Sequence, residues 1–209
     1  MSRAARVFPS LDHIAERLKG ERERQGLTQR ALARRVGLSA SLISQIETGR
    51  SQPSVSTLYA LVTELDISLD VLFENDAADP PAMSVSKTSR GKVGPPPGPV
   101  VRPIDRHAIE LESGVRWERL TSGPEEDVDF LHVVYETGGA SSSDGTLMRH
   151  SGREYGFVIS GRLGVQIGFR EHSLGPGDSI AFDSTQPHRL RNLGEEPVTA
   201  LWCVVGRRW

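Results

Sequence analysis

Two groups of residues in this 209-residue chain have the types and spacing to do chemistry. In the first, Ser39, Ala40, Ser41, Ser44 and Gln45 follow a glycine within TQRALARRVGLSASLISQIETGR, residues 28–50. Their groups suit the edges of base pairs: a glutamine amide pairs two-pronged with adenine, serine bonds either base type, and an alanine methyl touches thymine. Gln29 and Arg50 flank the group where phosphates would be held. In the second, HSGREYGFVISG sets His150 and Glu154 ahead of Gly161, and GPGDSIAFDSTQPHRLRN sets a Gly175–Pro176–Gly177–Asp178 turn ahead of Pro187, His188 and Asn192. Imidazoles and carboxylates of this kind bind metals or hydrogen-bond a small organic ligand.

The first group needs helices. Leu32 and Val36 lie four apart, Gly37 breaks the pattern, and Leu42, Ile43 and Ile46 resume it at three-and-four spacing. Two short helices each carry one apolar stripe. Gly37 can take the left-handed conformation that ends the first helix, Leu38 buries in the crook, and Ser39 caps the second. Two helices meeting at an angle make a helix-turn-helix, whose second helix lies in the major groove and reads bases near its N-terminus. The plainer alternative is a helical hairpin with a solvated polar face. Around this pair, residues 1–9 read as a loose arm. Ser10 caps a helix with Leu11, Ile14, Ala15 and Leu18 inside and Arg17, Lys19, Arg22 and Arg24 outside, ending near Gly26. Ser54 opens a helix striped by Val55, Leu58, Leu61, Val62 and Leu65, and Ser68 to Phe73 closes the bundle.

The pattern TQ-x-x-LA-x-x-x-GLS-x-x-x-IS-x-x-E-x-G, with Pro53 and the spaced leucines Leu58, Leu61 and Leu65, resembles the lambda-repressor-like, xenobiotic-response-element family of helix-turn-helix domains. The resemblance covers the first third of the chain. It implies a five-helix bundle that binds double-stranded operator DNA, usually as a homodimer on a pseudo-palindrome. Position by position, Gln29, Ser39 and Arg50 match the phosphate-contacting sites, and Ala40, Ser41, Ser44 and Gln45 the base-reading sites. Ala40 and Ser41 are smaller than the polar residues that relatives often carry there.

Charge supports the division of labour. The net charge of −2 hides ten basic against five acidic residues over 1–50 and ten basic against fifteen acidic over 107–209. Only the N-terminal part suits a polyanion, with the steep salt dependence of a few phosphate contacts. Each arginine taken singly also fits an ordinary solvated helix face. At 37% hydrophobic the chain is too polar for a membrane protein and has no run of spanning length. MSRAARVFPS lacks a signal-peptide core, and the single Cys203 excludes an internal disulfide framework, so a cytoplasmic protein is expected.

Seven of thirteen prolines fall between Pro80 and Pro103, and GPPPGP fits neither helix nor sheet interior. This segment reads as a linker with stiff stretches that hold two domains apart. The expected division is 1–75 helical, 76–99 linker and 100–209 sensor. Beyond the linker the period changes: VDFLHVVYET, GTLMRHS, EYGFVISG, RLGVQIG, DSIAFDS, HRLRNLG and PVTALWCVVG read as short antiparallel strands of a β-barrel or jelly roll, with no helix needed.

The two stretches that open on His150 and Gly175 resemble the two motifs of the cupin superfamily, an antiparallel β-barrel. The resemblance implies two histidines and a glutamate from the first motif and one histidine from the second around a metal. One position departs: two before His150, where a ligand histidine is usual, stands Met148. His150, Glu154 and His188 remain, a two-histidine, one-carboxylate set sufficient for a divalent Zn, Fe or Mn ion, none of which favours a thioether. The alternative is a metal-free pocket in which Met148, His150, Glu154 and His188 surround an organic effector or one another.

Cys203 reads as a buried small hydrophobe, Trp117, Trp202 and Tyr155 as core or dimer-interface residues, and the RRW terminus as a solvated tail. Together these features predict a multi-domain α + β regulator of transcription, a repressor by the commoner habit of the family, whose cupin domain senses a small-molecule effector. A non-enzyme is expected. Two rival readings are a cupin-type metal-dependent dioxygenase or isomerase with an accessory DNA-binding domain, and an architectural or antitoxin-like module that senses nothing.

Overall fold

The computed structural model describes residues 11–73, 98–125 and 127–206. The N-terminal arm, its Ser10 cap, most of the linker and the RRW terminus lie outside them. Among the described residues, five α-helices come first: α1 (Leu11–Arg24), α2 (Gln29–Val36), α3 (Ala40–Glu47), α4 (Val55–Glu64) and α5 (Asp70–Phe73). The turn between α2 and α3 is built as its residues dictate. Gly37 sits at φ 71°, where a Cβ would be strained, and the Leu38 N–H closes back on the Ala33 carbonyl at 2.8 Å. Ser39 Oγ accepts from the Leu42 N–H at 3.1 Å, and Thr28 and Ser54 cap α2 and α4 in the same way. Ile43, Ile46, Leu32, Leu58 and Leu61 meet in the core.

Arg22 is the exception to the expected outward row of α1. It is buried, with Nε donating to Glu47 Oε1 at 2.6 Å and Nη2 to Glu47 Oε2 at 2.9 Å. The planar guanidinium fork meets both carboxylate oxygens and so fixes α1 against the end of α3.

A short 3₁₀ turn, Pro103–Asp105, leads into nine strands among the described residues: β1 (Ala108–Leu111), β2 (Val115–Arg119), β3 (Val128–Tyr135), β4 (Arg153–Ser160), β5 (Leu163–Ile167), β6 (Arg170–Leu174), β7 (Ser179–Asp183), β8 (His188–Asn192) and β9 (Val198–Val205). They pair antiparallel in two sheets, ordered β1-β2-β3-β9-β4-β7 and β6-β5-β8. Pairing therefore runs in two sheets and not in one closed ring. The stretch GTLMRHS, expected as a strand, is irregular and pairs only at Met148, bridged to His188. Asn192 explains part of the β8 end, since its amide nitrogen donates to the carbonyls of Tyr135, Glu136 and Glu196.

The two halves touch, contrary to the expectation of domains held apart. The Ser56 N–H of α4 donates to the Ser141 carbonyl at 2.9 Å, and His107 Nδ1 lies 2.7 Å from the Phe73 carbonyl. Arg119 of β2 stacks its guanidinium over the Phe73 ring. Apolar residues of α4 and of the sheets form one continuous core. Burial of apolar surface favours this contact between the halves.

Candidate functional site

On α3, Ser41 and Gln45 are exposed and Ala40 and Ser44 half-exposed, while Ile43 and Ile46 on the opposite face are buried. Ser39 is exposed with its oxygen engaged in the cap, leaving its hydroxyl proton free to donate. Arg50 is exposed just past the helix. These residues form one polar surface. Gln29 is tied to it indirectly: its Nε2 donates to Glu47 Oε2 at 2.8 Å, so the Arg22–Glu47 pair positions the Gln29 amide.

In the C-terminal half, β4 supplies Glu154, the start of β8 supplies His188, and the irregular segment before β4 supplies His150. Glu154 points inward because β4 alternates, with Glu154, Gly156 and Val158 buried and Tyr155, Phe157 and Ile159 exposed. His150 Nε2 and His188 Nε2 approach the same oxygen, Glu154 Oε1, at 2.9 and 3.0 Å, with all three side chains at most 2% exposed. Each ring is held from behind: His150 Nδ1 lies 2.9 Å from the Ser151 carbonyl and His188 Nδ1 2.8 Å from the Gln186 carbonyl. A carbonyl only accepts, so both Nδ1 atoms carry hydrogen and both Nε2 lone pairs can face inward.

Three acceptors thus converge on one point, and none of the three atoms has an aligned hydrogen bond. Such a cluster needs a proton or a cation among its members. The two separations from Glu154 Oε1 fit a cation, because donors at right angles around an ion at about 2.1 Å stand about 3.0 Å apart, and all three donor atoms lie within 4.8 Å of one another. His150, Glu154 and His188 therefore fit a divalent metal as one face of its coordination shell. Without an ion, the same contacts favour a proton shared within the cluster. Burial opposes ionisation of Glu154, but the close contacts and charges of His150 and His188 outweigh it and hold the carboxyl below the usual range. Burial also opposes protonation of His188, and Glu154 overcomes it and raises the imidazole. The Tyr135 phenol is pushed up by burial first and then by the charge of Glu154.

The spacing of the sequence left three supporting residues unseen. Trp202 of β9 donates its indole N–H to Glu154 Oε2 at 2.7 Å and so aims the other oxygen at the imidazoles. Gly156 makes room for it, since a Cβ there would lie 2.1 Å from the Trp202 ring. Tyr59 of α4 stacks on His150 with centroids 4.6 Å apart and planes 6° from parallel. Gly156 was the one sequence signal, a glycine within a strand that reads otherwise as β-branched and aromatic. Met148 is buried beside the triad through its backbone bridge to His188, and also lines a cleft between the halves.

With this geometry in view, comparison with known proteins gives the class. Residues 18–72 match the helix-turn-helix family and residues 131–204 the cupin domain family. The chain is thus built from a helix-turn-helix domain and a cupin domain. Across its length it is similar to the HTH-type transcriptional regulator PuuR of Escherichia coli, 28% identical over 178 residues, covering 85% of this chain and 86% of that one. It is also similar to the HTH-type transcriptional regulator SutR of Escherichia coli, 23% identical over 185 residues, 88% and 90% of the two chains. Among solved structures, an HTH_3 family transcriptional regulator from Vibrio cholerae shares the fold at a TM-score of 0.64, with 23% identity over 95% of this chain and 98% of that one.

Proposed function

We propose that this protein is a DNA-binding transcriptional regulator whose cupin domain senses a small-molecule effector. The observation that carries the reading is the outward face of α3, where Ser41 and Gln45 stand in solvent while the same helix buries Ile43 and Ile46. Ala40, Ser41, Ser44 and Gln45 are read as base contacts; Gln29, Ser39 and Arg50 as phosphate contacts. The two sheets are read as a jelly roll around an effector pocket of Met148, His150, Glu154 and His188, in which the last three hold Zn, Fe or Mn. A resident ion would supply a Lewis-acidic anchor for an effector oxygen or nitrogen. Trp202 orients Glu154, the two backbone carbonyls orient the imidazoles, and the buried walls exclude water. The pocket binds and does not turn over a substrate, and the protein represses from the cytoplasm, where its operator lies.

A homodimer is part of the proposal. On β4, Tyr155, Phe157 and Ile159 are 45%, 45% and 46% exposed, with Phe130 and Val205 on neighbouring strands also exposed. Phe130 and Tyr155 both pair with Cys203, so the apolar row is continuous across three strands. Such a face suits a two-fold pairing that presents two α3 helices to half-sites about one helical turn apart. The test is selection of bound sequences from a random duplex pool by the full-length chain. A palindromic consensus is expected, and replacing Gln45 or Ser41 by Ala should cost about 1–3 kcal/mol at the base it reads while sparing the fold. Unchanged sequence preference in both variants would place the reading surface elsewhere.

A further inference from the structure

The pocket triad is closed off from solvent, and part of what closes it belongs to the other domain. Tyr59 lies on the face of His150 and meets Trp117 edge-on at 5.5 Å, itself only 5% exposed. It borders a cleft of about 410 Å³ between the halves, lined also by Leu38, Leu42, Asp144, Met148 and Arg149. That cleft runs from the turn before α3 and from α3 itself to Tyr59 and Met148, which adjoin His150 and His188 and separate the cleft from the triad. Tyr59 sits mid-helix, where a side chain has two usable χ1 wells, and both direct it back along the same face. Its ring is enclosed between His150 and Trp117, so clearing the face of His150 requires α4 to move. One turn earlier, α4 is fastened by the Ser56 N–H to the Ser141 carbonyl.

We propose that Tyr59 is the gate of the cupin pocket and the mechanical link between its occupancy and the DNA-binding domain. An occupant reaches His150, Glu154 and His188 through the cleft when α4 lifts and withdraws the Tyr59 ring. An occupant larger than a bare ion keeps the ring from returning, so α4 stays unseated and the helical domain changes its placement. This deepens the reading of the pocket as an effector site and rests on it. Coupling of this kind is reciprocal: whatever loosens α4 opens the pocket, and whatever fills the pocket loosens α4.

The experiment uses the full-length chain with Co(II) as probe, followed by its visible absorption, and hydrogen exchange of the Ser56 amide. Tyr59→Leu keeps the apolar volume and removes the flat ring, while Tyr59→Phe keeps both. Tyr59→Leu should raise the open fraction on the order of tenfold, read as faster Co(II) uptake and faster exchange of the Ser56 amide, with Tyr59→Phe closer to the parent than Tyr59→Leu. Imidazole added to the Co(II)-loaded parent, filling the open positions with a ring, should raise Ser56 exchange. Equal uptake by parent and Tyr59→Leu, or Ser56 exchange indifferent to imidazole, overturns the gate. His150→Ala separates this from the pocket itself: if the Co(II) spectrum survives that change, or no variant binds Co(II), the pocket reading falls and the gate with it.

Discussion

At the scale of single residues, the pocket is organised by what stands behind its ligands. Trp202 fixes one oxygen of Glu154, and without it the carboxylate can rotate away from the imidazoles. Trp202→Phe should keep the apolar packing and weaken divalent-metal affinity by about 10–100-fold, read by competition with a chromophoric chelator. Parent-like affinity would mean that β4 alone holds Glu154. The triad also sets a pH profile for the metal-free protein. Glu154 is depressed, so its contribution is present above the ordinary carboxyl value of 4.5 and lost as pH falls through the lowered folded value. His188 is raised, so its contribution is complete below the ordinary value of 6.5 and lost as pH rises through the raised folded value. Thermal denaturation should therefore show greatest stability between these limits, and His188→Gln should flatten the alkaline limb. A limb that persists in the variant assigns the loss to another group. Metal competes with the same protons, so its affinity rises with pH.

At the scale of elements, what the sequence disclosed depends on how far apart the interacting residues lie. The α2–turn–α3 unit was readable because period, glycine turn and serine cap are all local, and the structure has them at Gly37 and Ser39. The His150, Glu154 and His188 trio was readable from its two short motifs. Arg22 was misread as outward because its partner Glu47 is 25 residues away, and a helical wheel cannot weigh a buried bidentate pair. β6, REHSL, was missed because four of its five residues are exposed and offer no apolar alternation. β1 and β2 were missed for another reason: AIEL is short and VRWER carries three charges, with Glu118 and Arg119 buried in spite of them. Cys203 lies on the outer face of β9 and is half-buried, not enclosed as an apolar strand suggested. Tyr59, beside the aliphatic stripe of α4, drew no reading from the sequence, since its stacking partner comes from the other half of the chain. The Arg22 pair yields a prediction at this scale. Glu47→Ala leaves a buried guanidinium without its carboxylate and frees the Gln29 amide, and should cost about 3–5 kcal/mol in chemical denaturation. A loss below about 1 kcal/mol would show that water replaces Glu47 there.

At the scale of the whole molecule, the proposed function asks two surfaces to act together: α3, which faces outward from the helical domain, and the apolar row on β4. A single helix-turn-helix makes too few base contacts for a specific site in the presence of competing DNA, whereas two joined copies add their contacts on one duplex. The β4 row is placed to join them, because Tyr155, Phe157 and Ile159 point away from the pocket while Glu154 points into it. The alternation of one strand thus separates an exposed apolar face from a buried face that carries Glu154. Phe157→Glu sets a charge in the centre of the row without touching the interior, and two like charges meet at a two-fold axis. Sedimentation should show the parent as a dimer and the variant as a monomer, with Co(II) uptake unchanged in both. Operator binding should fall steeply in the variant and lose its dependence on the spacing between half-sites. If Phe157→Glu remains dimeric, another surface pairs the protomers; if it is monomeric and binds the full operator as the parent does, one helix-turn-helix suffices and the two-fold arrangement is not needed for recognition.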